Sequence, residues 1–347
     1  MVELGPEHPG IAIPIKEGMA HPSLLARLAR ARLFRKSPVA AYLNLNNWIW
    51  KRLPPSVTAL PPLRSYGRFL HRLVRSRTAR RQYFGTFFFR NRPQLTLIRR
   101  LSAQRGLGSI VKIAFLGCSN GAEAYSILWT IRSERPDLKI ISQAVDISKE
   151  VLKLAQKGVY SLTAPELVEA PIFARINGDE MEAMFDPGKN GDDVQIKSWL
   201  KEGITWHLGD AGSPEILTLL GPQDIVVANN FLCHMTRPNA DRCLRNIARL
   251  VTPGGYLFIS GIDLDIRTEV ALDLGWRPVR DLMEDIHDGD ASVRNDWPWK
   301  YWGLEPFDKR RNDWEVRYAS VFQLVPVVVR PPMQYENGRA SRQRWLG

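Results

Sequence analysis

The sequence predicts an α/β fold: a Rossmann-like, doubly wound parallel sheet with a helical segment in front of it and a small inserted subdomain. Three observations carry this. From about residue 110, short apolar runs rich in β-branched residues alternate with helical stretches, the order that yields parallel strands and right-handed crossovers. The first run is followed by a turn of small residues, Gly117 to Gly121, which opens a helix; in open α/β sheets such turns face ligands. Charge also divides the chain. Residues 1–104 hold 19 Lys and Arg against three acids, Glu3, Glu7 and Glu17, while the whole chain has a formal charge of +12, so the remainder is net negative.

The 347 residues, 44% of them hydrophobic, suffice for two units with a sizeable core. We expect a basic helical domain at 1–104, a sheet domain at 105–330 with an insertion at about 159–203, and a tail at 331–347. A basic leading domain suits an anionic partner: nucleic acid, a membrane surface, or an acidic protein or small molecule. The alternative is an Arg-rich solvated surface. Cys118, Cys233 and Cys243 have no disulfide or metal spacing, which predicts a reducing, cytoplasmic setting and no metal. The N-terminal stretch has no apolar run that reads as a signal peptide or membrane span.

In order along the chain, 1–20 reads as a loose tail. Residues 22–36 read as a helix in which Leu24, Leu25, Leu28 and Phe34 interleave with arginines, and 39–52 as a second, ended by Pro54-Pro55. Trp48 and Trp50 there suit either the core of a bundle or a membrane interface. Residues 63–82 form a strongly basic helix, and 86–104 a further one. Strands are expected at 110–115, 139–145, 204–208, 224–228 and 256–260. Helices are expected at 122–135, 149–158 and 239–251, the last stopped by Pro253-Gly254-Gly255. The run at 316–329 predicts antiparallel edge strands.

The candidate site residues sit at the carboxyl ends of these strands. Gly117, Cys118, Ser119 and Gly121 form the turn after the first strand, but their spacing departs from G-x-G-x-x-G, which weakens a dinucleotide reading. Asp146 ends the second strand, 29 residues beyond Gly117, where a carboxylate accepts ribose hydroxyls; capping of the next helix is the alternative. Asp210 follows the third strand, placed either for an adenine amino group or for a plain turn. Asn229 and Asn230 end the fourth and either line the reaction centre or terminate the strand.

These segments together resemble the CheR-type methyltransferases, the chemotaxis receptor glutamate O-methyltransferases, over about 82–260. Thr86-Phe87-Phe88-Phe89-Arg90 matches that family's T-x-F-F-R segment. Cys118 to Ile127 (C-S-N-G-A-E-A-Y-S-I) matches C-S-x-G-E-E-P-Y-S-I. Asp146-Ile147-Ser148, Val151-Leu152, Ala155 and Gly158-Val159-Tyr160 match the run that follows. The insertion at 159–203 lies where the family carries a small β-subdomain. The resemblance implies a class I methyltransferase sheet and S-adenosylmethionine as cofactor. It implies Thr86, Gly117, Cys118, Ser119, Gly121 and Ile147 around that cofactor, and Arg90 on the methionine carboxylate or the acceptor. Glu123 would hold the methionine amino group, Asp146 the ribose, Asp210 the adenine, and Asn230 the methyl-transfer site, with Asn229 beside the cofactor. Two departures bear on the acceptor: Asn229 replaces the family's arginine, and His234 its tyrosine.

Methyl transfer from a sulfonium is an in-line displacement whose rate comes mainly from alignment. A carboxylate acceptor needs no base; for an amine, hydroxyl or carbon acceptor His234 is the candidate. The aromatic and acidic group Asp296, Trp297, Trp299, Tyr301, Trp302 and Trp314 is expected either to close over a small acceptor or to pack on the sheet. The sequence thus leads to methyl transfer to a small molecule or an acidic protein segment. Receptor glutamate methylation and a non-catalytic cofactor-binding protein are the alternatives. Nucleic-acid methylation is disfavoured, since Asn229-Asn230-Phe231-Leu232 stands where that chemistry would place an Asn/Asp-Pro-Pro-aromatic tetrapeptide.

Overall fold

A computed structural model describes residues 38–77, 83–163, 172–188, 191–289, 297–299 and 304–325. The expected helix at 22–36, the loose N-terminal tail and the C-terminal tail lie outside them, as do Asp296, Tyr301 and Trp302.

The strands are β1 (Ile110–Leu116), β2 (Lys139–Asp146), β3 (Val159–Ser161), β4 (Phe185–Pro187), β5 (Asp193–Ile196), β6 (Ile204–Leu208), β7 (Gln223–Asn229), β8 (Val251–Ser260), β9 (Arg277–Pro278) and β10 (Val321–Gln323). Seven of them form one sheet in the order β6-β2-β1-β7-β8-β10-β9. Pairing is parallel from β6 through β8; β10 runs antiparallel to both β8 and β9. The order reverses between β1 and β7, which makes the crevice outside their carboxyl ends the switch point where ligands bind. The insertion folds as a separate three-stranded antiparallel sheet, β3-β5-β4.

Period-two alternation places the core on both faces of the main sheet. Ile113 and Phe115 of β1, Ile225 and Val227 of β7 and Phe258 of β8 pack in one cluster. Their neighbours Ala114, Leu116, Val226, Ala228, Leu257 and Ile259 pack in the other. Both faces are therefore covered, and the strands read as continuous apolar runs rather than as alternations.

Three features depart from the expected plan. The first is the boundary at 104. Helix Arg92–Ala103 sends Leu95, Leu97, Ile98 and Leu101 into the same core as β1, so the sheet domain begins earlier. Asn91 starts this helix by accepting the Gln94 N–H at 3.1 Å, and Thr86–Arg90 are non-helical. The second is β8, which runs through Pro253-Gly254-Gly255; the preceding helix, Arg237–Ala248, has already ended. The ladder with β7 is irregular between Gln223 and Ile225, and a proline fits such an interruption. The third is the fate of the tryptophans. Trp48 is 56% exposed, with the Arg52 guanidinium 3.8 Å from its ring, so it is not a core residue. Trp297 and Trp299 pack edge-on against Trp50, at centroid distances of 5.7 and 6.4 Å. Trp314 packs on Phe307.

The basic helix, Pro61–Arg77, is docked on the second half of the chain. Leu70, Leu73 and Val74 are buried, and His71 Nδ1 lies 2.9 Å from the Pro298 carbonyl. Arg75 pairs with Asp263 and Asp265 at 3.4 and 3.0 Å, and Arg64 donates to the Phe307 carbonyl. Part of the basic surplus is thus spent on the acidic remainder of the same chain, while Arg72 stays exposed.

Candidate active site

Three segments meet at the switch point: the Thr86–Arg90 stretch, the turn after β1 and the Asn229-Asn230 end of β7. Each contains a non-glycine residue with positive φ: Phe89 at 52°, Ser119 at 51° and Asn230 at 61°. Such backbone costs roughly 1–3 kcal/mol per residue and persists where the surroundings over-determine it. Phe89 is pinned by a hydrogen bond from its N–H to Ser126 Oγ, at 3.0 Å. Asn230 donates its N–H to the Ser260 carbonyl, also at 3.0 Å.

The turn after β1 requires its glycines. Gly121 caps helix Ala122–Arg132 at φ 86°, and a Cβ there would meet Ala155, Trp206 and Tyr125 at 3.1 Å. Gly117, at φ 67°, faces the Phe231 ring, which a Cβ would approach to 2.9 Å. The missing side chains make room for Phe231 and for the Ala155, Trp206 and Tyr125 side chains that pack against the turn.

Asp146, 4% exposed, closes this turn. One carboxylate oxygen accepts the Ser119 N–H at 2.8 Å, the other the Ser148 N–H at 3.0 Å. Burial raises its pKa, and the N–H groups of Ser148, Ser119 and Ile147 oppose that rise. Capping of helix Lys149–Lys157 falls instead to Ser148, whose Oγ accepts the Val151 N–H. Asp146 therefore ties two loops together at the end of β2. Beside it Ile147 is exposed. Asp210 is exposed and forms a turn by accepting the Gly212 N–H at 2.7 Å. Cys118 is buried, and burial with nearby Asp146 pushes its thiol pKa well up, so it is no nucleophile. Thr86 is buried.

On the other side, Asn229 organises a polar cluster. Its Nδ2 donates to Glu123 Oε1 at 2.8 Å and to Gln94 Oε1 at 3.2 Å, and its Oδ1 accepts from Ser260 Oγ at 2.9 Å. A neutral amide thus occupies the position next to the Glu123 carboxylate. Arg90, Gln94, Glu123, Asn230, Ser260 and His287 line a small cleft that is partly open to solvent. The sequence-expected Arg90, Glu123 and Asn230 meet there. His234 is buried in the short 3-10 turn Leu232–His234 and is not among the cleft's lining residues. Gln94, Asn91, Ser260 and His287 escaped sequence reasoning. An N-cap asparagine ahead of an apolar-periodic helix is a signal that exposes Asn91; the other three have no local one.

The donor set fits S-adenosylmethionine. A guanidinium and a carboxylate share the cleft, matching the methionine carboxylate and ammonium. A buried carboxylate at the end of β2 matches the ribose hydroxyls. Arg90, Glu123 and Asn230 would hold the methionine end, and Gly117, Ser119, Asp146 and Ile147 the nucleoside. When bound, the cofactor supplies an electrophilic methyl group on a cationic sulfur. Among the described residues there is no group of His, Cys, Asp and Glu that could hold a metal ion.

The family model for the CheR methyltransferase S-adenosylmethionine-binding domain matches residues 85–263, just over half of the chain. The probable biofilm formation methyltransferase WspC of Pseudomonas aeruginosa is 26% identical over 192 residues, 53% of this chain and 42% of that protein. Chemotaxis protein methyltransferase 2 of the same organism is 25% identical over 244 residues, 66% of this chain and 82% of its own length. Among solved structures, the N-methyltransferase NodS of Bradyrhizobium japonicum is 15% identical, covering 55% of this chain and 76% of that one. Its TM-score is 0.32, too slight a likeness to bear on function. This chain spans less than half of the WspC protein that it matches. The match begins at the Thr86–Arg90 stretch and ends just beyond β8, enclosing all three segments of the cleft, and the chain belongs to the CheR methyltransferase family.

Proposed function

We propose that this protein transfers the methyl group of S-adenosylmethionine to a nucleophile of a small molecule or protein segment entering the cleft beside Arg90, Glu123 and Asn230. The observation that carries the reading is the convergence of three family segments, each with a strained residue, on one cleft at the switch point. The protein's own contribution is positional. Arg90 and Glu123 fix the two ends of the amino-acid moiety, and Asp146 fixes the sugar. What remains is to bring the acceptor into line, which accounts for most of the rate in such displacements.

A second reading, methylation of a protein glutamate, is favoured by Arg90 in the cleft and by the chemotaxis methyltransferases among the relatives. Against it stands Asn229: the family's arginine would give an incoming carboxylate a second positive charge, whereas Asn229 is engaged with Glu123, Gln94 and Ser260.

The test uses radiolabelled S-adenosylmethionine with host membranes and proteins in one tube and a small-metabolite extract in another. Alkali-stable label among metabolites supports the first reading. Protein label released by alkali as methanol supports glutamate esters. S-adenosylhomocysteine binding without label in either tube would make the protein a binder and not a catalyst.

A further inference from the structure

Residue 287 lies outside the span of the family match, yet it lines the same cleft. His287 is 5% exposed, near the end of helix Met283–Asp288. Asn91 holds that helix against the Thr86–Arg90 segment by donating from Nδ2 to the Ile286 carbonyl at 2.9 Å. The imidazole is walled by Phe307 and Tyr318 at centroid distances of 5.6 and 5.1 Å. Its Nε2 lies 2.8 Å from the Glu305 carbonyl oxygen. A carbonyl only accepts, so Nε2 carries the hydrogen. In the neutral ring Nδ1 is then a bare lone pair, and it is buried without a hydrogen-bond partner.

Burial lowers the pKa of this ring. Nearby Arg267 adds to that effect, while the Glu305 carbonyl, Asp288 and the Glu305 carboxylate oppose it. Among the described residues, Arg90 and Glu123 are the other charged groups lining the cleft. The cleft contains one more orphan, the Nε2 of Gln94; that residue is 4% exposed and its Oε1 is engaged by Asn229. One orphan accepts and the other donates. A buried polar atom without a partner costs about 1–3 kcal/mol, so two of opposite polarity in one cleft mark a missing group that satisfies both. A hydroxyl does so, giving its hydrogen to Nδ1 and one lone pair to the Gln94 amide, with its second lone pair left to attack; a neutral amine, with a single lone pair, could not both accept from Gln94 and act as nucleophile. A carboxylate has no hydrogen for Nδ1 and would set negative charge against a lone pair.

We infer that His287 is the general base of this enzyme and that its acceptor is a hydroxyl oriented between His287 Nδ1 and Gln94 Nε2. This rests on the methyltransferase reading above. In the step, the free lone pair of the acceptor oxygen forms a bond to the methyl carbon as the carbon–sulfur bond breaks. The electron pair of the broken bond stays on sulfur, which becomes a neutral thioether. The acceptor's proton passes to Nδ1, and the imidazolium returns it to water after product leaves.

The test compares the full-length protein with His287→Gln, whose amide keeps an N–H for the Glu305 carbonyl but is no base, and with His287→Ala. Each is incubated with radiolabelled S-adenosylmethionine and a small-metabolite extract, and S-adenosylhomocysteine affinity is measured by calorimetry. The expected result is alkali-stable label that drops at least about 100-fold in both variants, the scale of a lost general base, with affinity kept within about 2-fold. Alkali-labile ester as the product, or a drop below about 3-fold, overturns the inference while leaving methyl transfer standing. Label absent from the parent protein despite S-adenosylhomocysteine binding overturns methyl transfer itself and this inference with it. Should the variants fail to fold, ¹⁵N-histidine NMR of the parent protein with S-adenosylhomocysteine decides: a neutral ring with bare Nδ1 at pH 7 is expected, and a proton on Nδ1 overturns the inference.

Discussion

Asp146→Asn separates two roles that the structure gives one carboxylate. In the parent protein both oxygens accept backbone N–H groups, from Ser119 and Ser148, at 2.8 and 3.0 Å. Asparagine keeps one acceptor and turns an NH₂ toward the other N–H, so one charge-assisted bond becomes a donor–donor contact. A hydrogen bond to a charged group contributes about 1.5–3 kcal/mol, and the orphaned N–H adds a penalty of similar size. Against this, the substitution removes a carboxylate whose pKa burial already raises, which returns part of the cost. The balance is a loss of about 2 kcal/mol in stability without any ligand. The same loss of a charged acceptor for the ribose hydroxyls weakens S-adenosylhomocysteine by about 1.4–3 kcal/mol, or 10- to 150-fold. Urea unfolding of the ligand-free protein reads the first number and calorimetry the second. Unchanged affinity refutes the ribose assignment. Unchanged stability refutes the view that Asp146 ties the two loops.

Arg90→Ala should leave the unfolding free energy within about 0.5 kcal/mol while turnover becomes undetectable; full activity would show that the Thr86–Arg90 match misleads. Gly121→Ala forces a left-handed alanine with its Cβ 3.1 Å from three side chains, and should cost about 1–2 kcal/mol and lower the melting temperature; a rise in melting temperature would contradict the geometry. Glu305→Gln removes the charge opposite Arg317, whose Nε lies 2.6 Å away in a buried site, and should cost about 3 kcal/mol by denaturant unfolding, with no loss counting against that pair. Burial lowers the pKa of His71 and His287 from 6.5, so below that pH the unfolded chain takes up protons that the folded chain refuses. Stability should therefore fall as pH drops below about 6.5, by up to about 1.4 kcal/mol per pH unit for each histidine; a flat urea midpoint between pH 7.5 and 5.5 would argue against neutral buried rings.

What the sequence made legible was whatever is encoded locally. A strand covered on both faces is a continuous apolar run, so β1, β2, β7 and the second half of β8 are visible without knowing their partners, and edge strand β6 is visible from its short apolar run. The turn after β1 is visible because only small residues fit it. Asp146, Asn229 and Asn230 are visible because they stand where strands end. The acceptor half of the cleft is encoded differently. His287 sits in Glu284-Asp285-Ile286-His287-Asp288, a stretch with the look of a solvated helix, and its meaning depends on a carbonyl 18 residues later. Gln94 reads as an ordinary polar position on a helix, until Asn229, 135 residues away, takes its oxygen and leaves its nitrogen unpaired. Trp50 and Trp297 likewise reveal their purpose only as a pair. On the proposed reading, cofactor recognition would use backbone turns and strand ends, which short motifs specify, and acceptor recognition side chains gathered from distant helices, where no spacing rule applies. Gln94 lies inside the family match and His287 beyond its end at residue 263, so the two proposed acceptor contacts straddle the edge of the resemblance.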